Sequence, residues 1–308
     1  MTSSTPQIPA PMAARVGPGV RSVAASAPAG ERGRKLRRAI VYVLLVSYAL
    51  LMLVPFAWQI ITSFKTEPDA ARLTIIPDPF TLAGWERGFG SLHPGIPQLF
   101  FNSMVVAIAV TVTNLVLGSM AGYAFARLRF PLRTVLFLLV LATLMIPDQL
   151  RLVPVYLIVR AIGLITNSPL NYLGVILIMA IQAQMVFLFR QFFLTIPRDL
   201  EEAAKIDGAG HFTTFVRVML PLAGPAIAAV AILAFQGTWN SFFWPLLILQ
   251  SPDHWTLPLA LFSFKSEFRV DWPALMSVTI AAIVPILLIY LFFQRYFVQG
   301  VAASGVKG

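Results

Sequence analysis

The residues best able to do chemistry in this chain are few and widely spaced. There is no cysteine, which removes disulfides, thiolate nucleophiles, zinc-thiolate sites and iron–sulfur ligation. His93, His211 and His254 lie far apart, and neither H-E-x-x-H nor G-x-S-x-G occurs, so no zinc helix or nucleophile elbow is in place. Gly300 and Gly305 have the spacing of a phosphate-binding loop, but Val306 stands where the phosphate-reaching Lys belongs. The expectation is a non-enzyme with no catalytic residue, no metal and no cofactor of its own. Neutral side chains are more informative. Gln236 and Asn240 fall one turn apart in an apolar stretch, with Trp239, Phe242, Phe243 and Trp244 alongside, and Gln182 and Gln184 fall in the middle of another. Amides bond hydroxyls, and aromatic rings cover the apolar face of a sugar. Gln236, Trp239 and Asn240 are therefore candidates for the path of an uncharged, hydroxyl-rich solute. The same residue types also suit helix–helix bonding and interfacial anchoring.

The elements that must position these side chains are membrane helices. Of 308 residues, 58% are hydrophobic and 12% charged, against about 25% charged in soluble domains. The mean hydropathy is +0.79. A soluble enzyme, a disordered chain and a nucleic-acid-binding module are excluded, despite a net charge of +10. Stretches free of Lys, Arg, Asp and Glu, trimmed at Pro, Gly and polar clusters, give six candidate spans: 40–62, 100–122, 134–153, 172–193, 223–249 and 273–294. The third is the weakest, because Pro147 and Pro154 bracket its end and invite a bend there. Asp148 and Arg151 sit at that end, three apart on one face, as a structural pair or a gate element.

An even number of spans puts both termini on one side. With the termini inside, 16 of the 23 Lys and Arg fall on inner segments and 7 on outer ones, which predicts cytoplasmic termini. Residues 1–38, rich in Pro, Ala, Ser and Arg, read as a disordered basic tail ending in a charge anchor at Arg32–Arg38. No ionisable residue falls near the centre of a span, which disfavours proton coupling. Sodium coupling through backbone carbonyls stays open.

The inner loop 196–222 carries the densest pattern. Asp199 with Glu202 three later reads as a capping-box-like start, and Gly208 as a left-handed stop. The two-turn helix between them would place Leu200, Ala203 and Ala204 on one face and pair Glu201 with Lys205 on another. A helix this short is marginal in water and must dock; its two alanines would let a partner backbone come close.

Glu202-Ala203-Ala204, three residues, Gly208, nine residues, Val218, one residue, Leu220-Pro221 resembles the signature loop of ABC importer membrane subunits, which has Ile where Val218 stands. Asn102-Ser103, Tyr123 to Arg127, Met145 to Pro147, Val153 to Tyr156, Gly163-Leu164, Trp239-Asn240, Pro245-Leu246 and Gly305 to Gly308 look like the carbohydrate branch, maltose-type importers and their second permease subunit. Residues 1–38 fall outside the resemblance.

The resemblance implies an all-α membrane protein of the type I importer permease fold, in the plasma (inner) membrane of a prokaryote. It implies a tail 1–38, a permease domain 39–297 and a cytoplasmic tail 298–308 reaching the interface between ATPase subunits. It further implies a homologous second permease as partner, two ATPase subunits that bind the ATP, and an extracytoplasmic sugar-binding protein facing the loop 251–272. Glu202, Ala203, Ala204, Asp207 and Gly208 would carry the contact with the ATPase. An ABC permease for a non-sugar solute such as glycerol phosphate, and an ion-coupled carrier, are the alternatives.

Overall fold

The computed structural model describes residues 29–72, 74–264 and 270–305. The chain divides between Val54 and Pro55 into two compact units. Helix α1 (Ala29–Ser63) runs across that division, and its part in the first unit exposes every residue from 33 to 54, as befits a helix that is apolar all round. It begins at Ala29, so the basic run that the sequence places in a disordered tail forms its opening turns. Arg, Lys and Leu are good helix formers, and the apolar span gives them a helix to extend. The rest of that tail, residues 1–28, lies outside the described residues.

In the second unit the helices in chain order are α2 (Ala83–Gly90), α3 (Ile96–Arg127, with a π-turn at Asn114–Gly118), α4 (Arg133–Leu144), α5 (Asp148–Ala161), α6 (Asn171–Met179), α7 (Ala183–Thr195), α8 (Asp199–Ile206), α9 (His211–Leu222, with a π-turn at Phe215–Met219), α10 (Gly224–Trp239), α11 (Phe243–Ile248) and α12 (Trp272–Gly305). Among the described residues α1, α3 and α12 are each long and apolar enough to cross a membrane. Three bent pairs pass the same test together: α4 with α5 at 106°, α6 with α7 at 42° and α9 with α10 at 80°. Counting each pair as one span gives up to six by length and composition, the last pair covering 211–239 where the expected span is 223–249.

The bends have local causes. Pro147 caps α5 from an extended backbone, so the third span breaks there; Pro154 stays inside α5. The fourth span breaks at 180–182, where Gln182 is extended and caps α7, not mid-helix as expected. The fifth ends at Trp239, with Asn240 as its cap and α11 beyond; the uniform helix expected over 223–249 does not form. The π-turn in α9 precedes Pro221, which lacks the N–H that an α-ladder would use.

One buried amide repairs the break in the fourth span. Asn114, fully buried in the π-turn of α3, donates to Met179 O at 2.7 Å and Val110 O at 2.9 Å, and its Oδ1 accepts from Gln182 N at 2.9 Å. Broken backbone at membrane depth is tolerated only where such partners exist. Asn102 does the same for the connection after α11: its Nδ2 donates to Asp253 O and Trp255 O, and Ser103 Oγ accepts from Leu257 N at 2.7 Å. Replacing Asn114 with Ala should lower stability by about 2 kcal/mol or more, because Met179 O and Gln182 N are left unpaired. Thermal unfolding in detergent, with Thr113→Ala beside it, tests this; an unchanged midpoint would mean that the break does not depend on the amide.

Candidate functional site

The loop helix α8 is built against the end of α3. Its backbone start is Arg198, whose carbonyl takes the N–H groups of Glu201 and Glu202 at 2.9 and 3.1 Å with no side-chain cap. The expected capping box is therefore absent: Asp199 is the first helical residue, already past the cap position. Asp199, Glu201 and Glu202 instead load the first turn with negative charge, which favours the helix dipole. The C-terminal end is as expected. Gly208 takes φ +83°, its N–H bonds Lys205 O at 3.0 Å, and Ala209 N–H bonds Ala204 O at 2.9 Å. The two crossed bonds form a Schellman cap. A side chain at Gly208 would meet open space, so the requirement for glycine is one of backbone conformation alone.

The partner of Glu201 is not Lys205. Its carboxylate lies 3.0 Å from Nε of Arg127, the last residue of α3, with side chains 12% and 4% exposed respectively. The geometry is that of an ion pair without a linear hydrogen bond. The same guanidinium gives Nη2 to the carbonyls of Phe193 and Ile196 at the C-terminal end of α7, where the helix runs short of its own donors. Arg127 thus binds α3, α7 and α8 at one point. Beneath it lies a core of Tyr123, Phe189, Phe193, Phe215 and Met219. Gly122 lets α3 approach α7 there: a Cβ would stand 2.6 Å from Phe189 Cβ and 2.9 Å from Arg190 N.

This seating divides the expected apolar face of α8. Ala204 is buried, whereas Ala203 is exposed along with Leu200, Glu202, Asp207 and Gly208. Ile206 is 87% and Phe212 69% exposed. The face turned away from the bundle carries acid and aliphatic groups together.

A second feature lies at the breaks of the third and fourth spans. A cavity of about 620 Å³ is lined by Asp148, Arg151, Gln182, Gln184, Phe125 and Trp244, among others. Asp148 and Arg151 form an ion pair in the first turn of α5. Gln182 Nε2 is buried there with no partner among the described residues. Of the amides singled out in the fifth span, Gln236 and Asn240 are exposed. Trp239 is 2% exposed, stacks on Phe235 with ring centroids 5.6 Å apart and gives its indole N–H to Ala282 O at 3.1 Å. It packs α10 against α12.

In the connection 251–272, Trp255 is half-buried and bonds Leu249 O through its indole N–H at 3.0 Å. Phe264 is also half-buried, leaving Phe262 and Trp272 exposed. Phe268 lies outside the described residues, as do 306–308 of the C-terminal tail.

Residues 114–303 match the family model described as binding-protein-dependent transport system inner membrane component. The chain belongs to this family. It is 35% identical over 281 residues to an arabinooligosaccharides transport system permease protein, AraQ, of Halalkalibacterium halodurans, covering 89% of this chain and 99% of the relative. It is 33% identical to the diacetylchitobiose uptake system permease protein NgcG of Streptomyces coelicolor, covering 83% and 85%, and 32% identical to the sn-glycerol-3-phosphate transport system permease protein UgpE of Agrobacterium fabrum, covering 88% and 98%. A crystal structure of a bacterial ABC transporter involved in the import of the acidic polysaccharide alginate shares the fold with TM-score 0.74, 22% identity and coverage of 86% and 98%.

The inner-membrane family and the apolar helices agree. Sequence reasoning missed Arg127, Asn114 and Asn102 as organising residues. A lone Arg ending an apolar run reads as a boundary charge, and a lone Asn inside one reads as a helix-packing amide. In this permease, Arg127→Gln or Glu201→Gln should each cost about 3 kcal/mol, since each strands a buried charge. The double variant should cost less than the two together. Lys205→Gln should stay within about 0.5 kcal/mol. Denaturant or thermal unfolding in detergent reads all four, and additive single effects would argue against a direct pair.

Proposed function

We propose that the chain is a permease subunit of an ATP-driven sugar importer, forming half of the translocation path beside a homologous permease. The observation that carries the reading is α8: a two-turn helix fixed by Arg127–Glu201 on one side and open on the other. Two ATPase subunits bind the ATP. The exposed face of α8, with Glu202, Ala203, Asp207 and the Gly208 cap, seats in a cleft of one of them, and Ala204 holds the helix to its own bundle. Closure of the ATPases pulls α8, and the Arg127 joint passes that displacement to α3 and α7 together. The bundle then turns from inward-facing to outward-facing, an extracytoplasmic binding protein delivers the solute, and hydrolysis resets the machine. Such coupling requires contacts that differ between two states, and a stiff joint at the lever end supplies them.

The sugar assignment is supported by the neutral polar groups in and near the path and by the names of two relatives, which concern oligosaccharides. Gln182 and Gln184 at the cavity, with Gln236 and Asn240 on α10, would meet hydroxyls, while Trp239 positions α10. Glycerol phosphate is the second reading, because one relative is named for it and Arg151 borders the cavity. Asp148 already neutralises that charge, which favours the neutral solute. The chain itself would neither hydrolyse ATP nor carry a cofactor.

Purification of the tagged chain in mild detergent should bring with it a second permease and an ATPase. Glu202→Lys should release the ATPase and keep the permease. A wild-type chain that emerges alone and still moves solute in liposomes would instead identify an ion-coupled carrier. Gly208→Val, a β-branched residue forced to positive φ, should abolish or uncouple transport while membrane insertion stays normal. Full transport by this variant would rule out a strict geometric role for the cap.

A further inference from the structure

The short turn between α3 and α4 carries a cavity that the transport reading does not use. It measures about 530 Å³, and four of its eight lining residues are arginines: Arg127, Arg129, Arg133 and Arg198. No acid lines it. Arg127 is committed to Glu201 and two carbonyls. Arg133 gives one Nη to Leu128 O at 3.0 Å. Among the ion pairs of the described residues, Arg129, Arg133 and Arg198 have no carboxylate.

The backbone adds to this field. Leu132 takes φ +59° and starts α4 with no side-chain cap, so the first N–H groups of a 12-residue helix lack side-chain acceptors. Three guanidiniums without a carboxylate around one concavity call for an anion with several acceptor oxygens, and a phosphate diester meets the forked geometry of arginine.

What lies beside the cavity separates a lipid from other anions. Leu132, Val135, Leu136 and Leu139 follow helical spacing along α4, each between 42% and 68% exposed, and the first two also line the cavity. The stripe starts at the arginines and runs along α4, half of a bent pair long and apolar enough to cross a membrane. A free phosphate has no use for such a stripe, and an acidic protein surface would not extend down a membrane helix. An acyl chain does both.

We propose that this cavity binds the phosphate headgroup of an anionic phospholipid, with an acyl chain lying along α4. The cavity shares its end of the bundle with α8, since Arg127 and Arg198 border both. The inference rests on the reading that this end faces the cytoplasm. Lipid bound here would steady the joint from which α8 hangs.

The test uses the full chain purified with its co-purifying subunits and titrated with dioleoylphosphatidylglycerol or dioleoylphosphatidylcholine, retention being read by native mass spectrometry. Phosphatidylglycerol should be retained preferentially. Arg198→Gln, at an exposed position, should weaken retention about fivefold, and Arg129→Gln, Arg133→Gln and Arg198→Gln together on the order of a hundredfold. Arg160→Gln, exposed at the far end of α5, should change nothing and controls for general charge loss. If the triple variant does not fold, Arg198→Gln and its salt dependence decide alone.

Equal retention of the two lipids, or an equal loss with Arg160→Gln, would overturn the proposal. Displacement of the lipid by equimolar inorganic phosphate would make this a free-anion site. Loss of the ATPase from the triple variant with lipid retention intact would make it a protein contact. Glu202→Lys separates the two readings: it should release the ATPase and leave lipid retention unchanged.

Discussion

The Arg127 guanidinium is the point on which the membrane bundle and its loop helix depend. Three helix ends meet there, and each brings a need that the others do not meet. Helix α7 ends with carbonyls that can accept a further donor, α8 begins with a surplus of acid, and α3 supplies a cation at the last turn of an apolar span. Arginine serves all three because its donors are fixed in a planar fork that addresses several acceptors at once; lysine offers a single strongly hydrated point. The burial of the pair means that removing either charge costs far more than the pair contributes relative to apolar replacements. The contact therefore acts as a constraint on geometry more than as a source of stability.

That constraint bears on force transfer. An eight-residue helix has too few internal bonds to hold its shape or direction alone. Its orientation is set by Glu201 and Ala204 on the bundle side and by the Schellman cap at Gly208. With the chain direction fixed at both ends, a pull on the exposed face in the proposed coupling role would become a displacement of α3 and α7 instead of a local unwinding. The tight contact at Gly122, where Phe189 leaves no room for a Cβ, keeps those two helices from sliding independently. A joint that is stiff on one side and open on the other is what a short lever needs.

Much of this was legible in the sequence. Apolar run lengths located the spans, the signature spacing located the loop helix, and Gly208 was readable as a left-handed stop because few other residues occupy that conformation cheaply. The misreadings have a common cause. Glu201–Lys205 and the capping box are local rules that apply to an isolated helix, and here a distant Arg127 outcompeted the first, while Arg198 took the cap position through its backbone alone. Splitting of the Leu200–Ala203–Ala204 face followed from the same contact, since Glu201 and Ala204 lie three apart and turn inward together. The breaks at 180–182 and 240–242 were hidden because apolar composition marks membrane depth without marking helix continuity. Asn114, which stabilises the first break, is 65 and 68 residues from the Met179 and Gln182 backbone groups it bonds there, and no local pattern reveals that pairing.

The polar inventory of the spans then separates by role. Asn102 and Asn114 are satisfied by backbone groups that broken or non-helical segments leave free, so their amides are spent on structure. Trp239 is spent in the same way, through Ala282 O. Gln182 differs: its backbone N–H is used by Asn114, while its side-chain Nε2 is buried at the cavity without a protein partner. A donor in that position has an unmet hydrogen bond that water or a solute hydroxyl can satisfy, and the adjoining Asp148–Arg151 pair presents both signs of charge without a net charge. In the proposed path, such a lining would hold a hydroxyl-rich molecule through several weak, reversible bonds and give a strongly charged one no compensating ion. Weak and distributed contact suits a path more than a binding site, because a solute held by one strong interaction would have to break it before it could leave.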